Sequence, residues 1–148
     1  MSKVFKGRPI VVAEEITAKA VVSHQGFNTL ASFQKSALNK SAEVICSDQN
    51  NSDLYGKNLT AKALCLPQTI GSTTGGMVIH TVCALGIAPK AMLFSESIDS
   101  LAAAGVILAD IWTDNTIIAV DRLGQDFLDY VKDDMTISVA KDGTVTVE

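Results

Sequence analysis

The sequence predicts an α/β domain of three layers, with helices on one side of a central parallel sheet and a second β layer on the other. Three observations support this class. The middle of the chain alternates short apolar runs with helical patterns, as β-α-β units do. Both ends are rich in strand-forming residues. A length of 148 residues fits one domain, residues 1–148, with a sizeable core.

The N-terminal third is dominated by strand patterns. Strands are predicted at Lys6–Ala13, Thr17–Ser23, Val44–Cys46 and Ala61–Leu66. The second of these alternates small or apolar residues with Lys19, and Pro67 follows the last one as it does where a strand leads into a loop. The polar residues 46–57 are interpreted as a surface loop. These terminal strands are expected to contribute to the second β layer.

The central third reads as a β-α-β-α-β unit. Apolar residues from Val78 to Leu85 recur at helical spacing, and Gly86 is a candidate C-cap. Further elements are predicted in this order: a buried strand at Ala91–Phe94, a helix at Ile98–Ala104 capped by Ser97 or Asp99, and strands at Gly105–Leu108 and Thr116–Val120. Strands connected by helical crossovers indicate a parallel sheet.

The C-terminal residues predict a brief helix or turn followed by a hairpin. The first of these covers Asp126–Val131. In Thr136–Val147, alternating apolar residues flank Asp142-Gly143, which is the strongest short-range hairpin signal in the chain. The apolar pair Ile137 and Val139 should face Val145 and Val147. The hairpin belongs to the second β layer.

Composition and charge exclude several classes of protein. Hydrophobic residues make up 47% of the chain and charged residues 19%, which excludes a disordered chain. A net charge of −4 disfavours nucleic-acid binding through phosphates. No apolar run is long enough for a membrane span, and no secretory signal precedes Pro9. Three cysteines at unrelated spacings indicate buried thiols rather than a zinc site or a disulfide framework, as expected in the cytoplasm.

The segment Leu66-Pro67-Gln68-Thr69-Ile70-Gly71-Ser72-Thr73-Thr74-Gly75-Gly76 is the best candidate for chemistry. It runs from a predicted strand to a predicted helix, where glycines admit a ligand to the backbone and exposed N–H groups favour an anion. Ligands of open α/β sheets collect at this end of the strands. The segment lacks the lysine of a phosphate-binding P-loop and is not a nucleophile elbow. An ordinary loop that caps a helix remains the simpler interpretation.

The candidate site has no partner base, metal ligands or cofactor within the chain. His24 and His80 are distant from each other and no carboxylates cluster with them, so no metal site is predicted. A phosphocarrier role for His80 would require it to be exposed at a helix start. We therefore expect a subunit whose chemistry is completed by another protein, with the apolar pair Ile111-Trp112 as a candidate docking surface.

A family resemblance follows from three segments in this order. They are Leu66-Pro67 with Gly71-Ser72-Thr73-Thr74-Gly75, then Gly86-Ile87-Ala88-Pro89-Lys90-Ala91, then Asp99 with Ala103-Ala104-Gly105-Val106-Ile107-Leu108-Ala109. Together they resemble the small subunit of aconitase X, a family of swivel domains. The resemblance covers most of residues 7–120 and is densest from residue 66 to residue 109.

The resemblance implies a swivelling β/β/α domain that docks on a larger catalytic subunit. In that family the large subunit holds an iron–sulfur cluster, and the small subunit binds no cofactor alone. The implied reaction is dehydration of a hydroxylated carboxylic acid, such as mevalonate 5-phosphate or cis-3-hydroxy-L-proline. Ser72 would be the general base. The implied substrate-binding residues are Gly71, Thr73, Thr74, Gly75, Gly76 and Ser32.

The chain departs from the family in the segment that begins at Ser32. Ser32-Phe33-Gln34-Lys35-Ser36 stands where the family has Ser-Phe-Trp-Gly-Gly, and the following Asp-Pro turn is missing. Thr74 and Gly75 stand where ordinary aconitases have Arg and Glu, so no arginine from this loop is expected to bind a carboxylate. The alternative function is a non-catalytic anion-binding or regulatory swivel module of an iron–sulfur complex.

Overall fold

A computed structural model of the chain describes residues 2–12, 14–70, 75–113 and 117–148. The strands are β1 (Lys3–Lys6), β2 (Arg8–Val11), β3 (Ile16–Val22), β4 (Phe27–Asn28), β5 (Ala63–Leu66), β6 (Thr69–Ile70), β7 (Ala91–Phe94), β8 (Ile118–Asp121), β9 (Thr136–Val139) and β10 (Thr144–Val147). The helices are α1 (Thr29–Leu38), α2 (Gly75–Ala84), α3 (Ser100–Trp112) and α4 (Gln125–Tyr130).

The large sheet has eight strands in the order β1-β10-β9-β3-β5-β7-β8-β2. Its central strands β3, β5, β7 and β8 are parallel, and the strands on either side of them pair antiparallel. The unit β5-α2-β7-α3-β8 is the predicted β-α-β-α-β arrangement. The predicted central parallel sheet is confirmed. Its strands are parallel because each crossover helix returns the chain to the same end of the sheet before the next strand begins.

The two faces of the parallel strands are covered by different partners, which gives the three predicted layers. On one face, side chains of α1, α2 and α3 form a core with Leu64, Met92 and Ala119. On the other face, strands β1, β9 and β10 and helix α4 form a second core with Cys65 and Leu93. The predicted β/β/α architecture is therefore confirmed.

Strand β3 belongs to both β layers. Its first half pairs antiparallel with β9, for example Ala18 with Ile137. Its second half pairs parallel with β5, beginning at Ala20 opposite Ala63. The second β layer is therefore continuous with the parallel sheet through one strand.

The predicted C-terminal hairpin is confirmed in its register. Val145 lies opposite Val139, and Val147 lies opposite Ile137. Gly143 has a φ of +89° in the connecting turn, a conformation that costs other residues energy. All four apolar side chains are buried, so the alternation seen in the sequence places one face of the hairpin in the second core.

The predicted strand Lys6–Ala13 is wrong as a single element. Residues 3–6 form β1, which pairs with β10, whereas residues 8–11 form β2, which pairs with β8 at the opposite edge of the sheet. The chain changes direction at Gly7. A Cβ at this position would collide with the carbonyl oxygen of Asp121, so the close approach requires glycine.

The predicted strand Gly105–Leu108 is also wrong, because helix α3 runs without a break from Ser100 to Trp112. Its buried residues Ala102, Val106 and Ala109 follow the helical period and face the first core. The N-terminal signal was correct at Asp99, whose carboxylate accepts a hydrogen bond from the Ala102 N–H (3.2 Å).

Two further differences concern residues 27–58. Helix α1 was not predicted, although Asn28 caps it by accepting a hydrogen bond from the Ala31 N–H (3.0 Å). The predicted strand Val44–Cys46 is reduced to one bridge between Ile45 and Asn58.

Of the helices within the described ranges, none combines the length and apolarity needed to cross a membrane.

Candidate functional site

Polar residues follow the parallel strands at their carboxyl ends. Ser23 comes directly after β3, Ser95 directly after β7, and Asp121 is the last residue of β8. All three side chains are buried. Because parallel strands end at the same edge of a sheet, these residues mark one polar rim, which we call the carboxyl edge. Ligands of open α/β sheets bind at this edge.

Backbone hydrogen bonds tie the carboxyl edge together. The Ser23 N–H donates to the carbonyl oxygen of Cys65 (2.9 Å), and the Ser95 N–H donates to that of Leu66 (3.0 Å). The carboxylate of Asp121 accepts two hydrogen bonds from the Arg8 guanidinium (2.9 and 2.7 Å) and one from the Ile98 N–H (2.8 Å). These bonds compensate for the burial of the Asp121 carboxylate and of the backbone groups that they join.

A two-stranded parallel ribbon brings the start of α1 to this edge. Phe27 and Asn28 of β4 pair with Thr69 and Ile70 of β6. Asn28 is the N-cap of α1, and Ile70 is the last residue before the segment 71–74. The ribbon thus places the beginning of α1 beside the chain that leads into α2, which begins at Gly75.

A side-chain hydrogen bond brings the start of α3 to the same place. The Thr69 hydroxyl donates to the carboxylate of Asp99, which also caps α3. Three helices therefore begin around residues 69–75. Asn28 and Asp99 already accept hydrogen bonds from N–H groups at the starts of α1 and α3. A helix N-terminus carries a partial positive charge, so the start of α2 is the one of the three that would favour a carboxylate or a phosphate.

The structure describes only some of the predicted site residues. Gly71, Ser72, Thr73 and Thr74 lie outside the described residues. Gly75 and Gly76 are the first two residues of α2. The flanking elements agree with the expectation for this segment, since it joins a strand to a helix start at the carboxyl edge. The assigned roles of all six residues stay predictions.

Ser32 lies in the first half of α1, and its side chain is fully buried. Its hydroxyl has no hydrogen-bond partner within the described residues. The nearby Cys46 thiol has its pKa raised mainly by burial, and the Ser32 hydroxyl acts in the opposite direction. The Ser32 side chain is therefore not accessible to solvent in this structure, and its role in substrate binding stays a prediction.

Two of the residues that depart from the family, Lys35 and Ser36, line a cavity. It has a volume of about 410 Å³ and lies along the C-terminal half of α1. Its lining includes Lys35, Ser36, Cys46 and Tyr55.

Three residues around the candidate site were missed by the sequence analysis: Asn28, Ser95 and Asp121. Ser95 is 5% exposed, and its hydroxyl has no partner within the described part of the chain. A signal for Ser95 and Asp121 was present, because each stands at the end of an apolar strand. Asn28 could have been found as a helix cap only if α1 had been recognised.

The cysteines and histidines do not form a metal centre in the described residues, where no three His, Cys, Asp or Glu side chains are grouped for it. All three cysteine side chains are buried. Burial raises the pKa of Cys83 to about 12 and raises that of Cys65 further. Because thiolates bind metals and thiols do not, these cysteines are poor cluster ligands.

The histidines also lack the placement that a phosphocarrier needs. His80 is the sixth residue of α2, is half-buried, and is not at the helix start. His24 is exposed, and its Nδ1 lies 3.8 Å from the carboxylate of Asp53.

The comparisons with known proteins agree with this architecture. A family model described as the aconitase X swivel domain matches residues 4–147. A phosphomevalonate dehydratase small subunit from Pyrococcus furiosus is 38% identical over 60 residues, which are 40% of this chain and 44% of that protein. The match thus spans less than half of that relative. A protein of the same name from Methanopyrus kandleri is 31% identical over 104 residues, 70% of this chain and 71% of that one.

Solved structures share the fold. The crystal structure of Thermococcus kodakaraensis aconitase X in its holo-form superimposes with a TM-score of 0.82 at 24% identity, over 99% of this chain and 98% of that chain. The solution structure of a UPF0107 protein gives a TM-score of 0.78 at 22% identity, over 99% of both chains. The family model covers nearly the whole sequence, and the layers and the carboxyl edge fit it. The chain therefore belongs to the aconitase X swivel domain family.

Proposed function

We propose that this chain is the small subunit of an aconitase X-type hydro-lyase, which dehydrates a hydroxylated carboxylic acid together with an iron–sulfur large subunit. The observation that carries the proposal is the convergence of three helix starts around residues 69–75. Such an arrangement would favour an anion near the start of α2, and Ser72 lies in the segment that joins β6 to α2. Membership of the family supplies the reaction class.

In the proposed reaction Ser72 is the general base. It removes the proton from the carbon next to the substrate carboxylate. A serine is a weak base unless its alkoxide is stabilised. Backbone N–H groups at the start of α2, beginning at Gly75, would stabilise that charge and bind the carboxylate. When bound to the large subunit, an iron–sulfur cluster would supply a Lewis acid for loss of the hydroxyl group.

A phosphorylated hydroxy acid is the first substrate to test, because the curated relatives are named phosphomevalonate dehydratase small subunits. The carboxyl edge also offers a cation for such a substrate. Arg122 follows β8 directly, is exposed, and donates from Nε to the Ser97 hydroxyl (3.0 Å).

We expect the complex in the cytoplasm, where buried thiols such as Cys65 stay reduced.

Substitution of Ser72 tests the proposal in the complex assembled under anaerobic conditions with an aconitase X-type large subunit. Ser72→Ala should lower kcat by at least about 100-fold, because a general base contributes this much or more. Assembly, measured by native mass spectrometry, should be unchanged. The matched control is Ser138→Ala, which removes a serine hydroxyl from β9 in the antiparallel layer and should leave kcat intact.

Two results would contradict the proposal in different ways. If Ser72→Ala retains most of the activity, Ser72 is not the base although the subunit role stands. If the wild-type complex assembles and binds hydroxy acids but dehydrates none of them, the chain is the anion-binding or regulatory module that the sequence left open.

A further inference from the structure

Arg122 lies at the carboxyl edge in a backbone conformation that residues with a side chain rarely adopt. Its φ is +57°, in the left-handed region, where the Cβ crowds the neighbouring backbone. It follows β8 directly and is exposed. Strained residues persist only where the surrounding structure fixes them, and they cluster at ligand sites. The position of Arg122 must therefore be fixed by its neighbours.

Three successive backbone amides hold the chain after β8 against the chain that leaves β7. Each donates to a carbonyl oxygen of the other segment: Arg122 to Glu96 (3.0 Å), Leu123 to Phe94 (3.0 Å) and Gly124 to Ser95 (2.9 Å). The Arg122 Nε also donates to the Ser97 hydroxyl (3.0 Å). The backbone and the side chain of Arg122 are therefore both fixed to the segment that leads into α3.

The guanidinium of Arg122 has two terminal amino groups with which it can bind another molecule. Among the described residues, no carboxylate forms an ion pair with it, including that of Glu96, and its one side-chain hydrogen bond uses Nε. The Arg8 guanidinium, by contrast, donates twice to Asp121 (2.9 and 2.7 Å). Two parallel N–H groups of a guanidinium match two oxygens of a carboxylate or a phosphate. Nη1 and Nη2 of Arg122 can therefore bind an anion end-on.

The carboxyl edge connects Arg122 with the start of α2. Its partner Ser97 is two residues before Asp99, which accepts a hydrogen bond from Thr69 in β6. Strands β8 and β5 are separated by β7 alone, so their carboxyl ends are about 10 Å apart. This separation suits a small molecule whose two ends are several bonds apart.

We propose that Arg122 binds a second anionic group of the substrate, at the end opposite the reacting carboxylate. This inference rests on the proposed function, in which the start of α2 binds that carboxylate. The substrate would then be a hydroxy acid with a phosphate or a carboxylate at its far end. Since the chain has a net charge of −4, such a dianion needs a local cation. An acid with an uncharged far end would leave the guanidinium without its partner and would bind less tightly.

Three acids that differ only at the far end test this proposal by isothermal titration calorimetry on the complex with the large subunit. Mevalonate ends in a hydroxyl group, 3-hydroxy-3-methylglutarate in a carboxylate, and mevalonate 5-phosphate in a phosphate. The wild type should bind at least one of the two anionic-ended acids about 10-fold more tightly than mevalonate, because hydrogen bonds between charged groups contribute this much. The acid that is preferred identifies the second anionic group.

Arg122→Gln should abolish this difference and leave the binding of mevalonate unchanged. Arg122→Lys, which keeps the charge and loses the planar fork, should retain part of the difference. Both variants keep a side chain at the same φ, so the backbone strain is the same in each. The matched control is Lys90→Gln, which removes an exposed positive charge directly before β7, at the opposite edge of the sheet. It should leave all three affinities unchanged, and native mass spectrometry confirms assembly of every variant.

Two results would overturn the proposal. The first is a wild-type complex that binds neither anionic-ended acid more tightly than mevalonate. The second is an Arg122→Gln variant that keeps the difference or weakens the binding of all three acids equally. If either occurs while the complex still dehydrates a hydroxy acid, the proposed function stands without this inference. A selective loss in a complex that dehydrates none of the acids would support the role of Arg122 and contradict the proposed function.

Discussion

The two faces of the central strands bury different kinds of side chain. The core shared with β1, β9 and β10 is built from apolar residues such as Phe5, Phe127 and Val145. On the helix side, buried polar residues include Asp121 at the carboxyl edge and Ser32 and Ser36 along α1. Buried polar groups cost stability unless they are bonded. The difference indicates that the antiparallel layer is scaffold and the helix side carries the function.

The largest effect should come from the scaffold. Phe127 is fully buried and packs edge-on against Phe5, with ring centroids 5.3 Å apart. Phe127→Ala should lower the free energy of unfolding by about 4 kcal/mol, because it removes apolar contacts and leaves a cavity. Urea unfolding measures this loss, and Phe127→Leu should cost much less. Turnover per folded complex should stay at the wild-type value.

A large drop in turnover for the folded Phe127→Ala variant would contradict the conclusion that the antiparallel layer is only scaffold. It would show that this layer affects the site.

A substitution at Thr69 should lower stability less than Phe127→Ala does, but it should also lower turnover. Thr69→Val keeps the shape of the side chain and removes its hydrogen bond to Asp99 at the start of α3. Unfolding free energy should fall by about 1 kcal/mol. Turnover should fall by about 10-fold or more, because small displacements of a site are costly. Thr69→Ser, which keeps the hydroxyl, should restore both quantities.

If Thr69→Val loses stability but keeps full turnover, the bond between Thr69 and Asp99 serves the fold alone, and the functional site would not include the start of α3.

The smallest effect is expected in the hairpin turn and depends on pH. The pKa of Asp142 is lowered because its carboxylate accepts hydrogen bonds from the side chain and the N–H of Thr144. A lowered pKa stabilises the folded state above the pKa of the unfolded chain, and this contribution is lost as the pH falls through the folded pKa. Asp142→Ala should therefore lower the melting temperature slightly at pH 7.

The same measurement at acid pH sharpens this prediction. The difference in melting temperature between wild type and Asp142→Ala should shrink as the pH falls below about 4. A difference that stays constant down to pH 2 would mean that the charge of Asp142 does not contribute, and that the turn conformation alone explains the effect.

The hairpin, the β-α-β-α-β unit and the layer order were predictable because local signals agree with the final packing there. Helix α1 escaped detection for a chemical reason. Its buried positions follow the helical period but include Thr29, Ser32 and Ser36, so hydropathy does not reveal them. Helix α3 was divided for the opposite reason. Ile107 and Leu108 are exposed yet aliphatic, so the run looks uniformly apolar and hides the period.

The candidate site was predictable only as a segment. The glycines and hydroxyls of residues 71–76 indicate a ligand loop at a helix start, and the structure bears out the flanking elements. The partners of the two residues that precede this loop could not be predicted, because they come from distant parts of the chain. Asn28 pairs with Ile70 through two-residue strands, and Asp99 accepts a hydrogen bond from the hydroxyl of Thr69. Neither contact leaves a local pattern.

The sharing of β3 between the two β layers has a consequence for folding. Ile16 pairs with Val139, and Lys6 of β1 pairs with Thr144. Both pairings join the two ends of the chain and therefore close very long loops. Proteins dominated by such distant contacts fold slowly, on the scale of milliseconds to seconds. On the ribosome, β1 and the first half of β3 would remain unpaired until the hairpin emerges. Backbone amides in the middle of β3 should then exchange with solvent only when the whole domain opens.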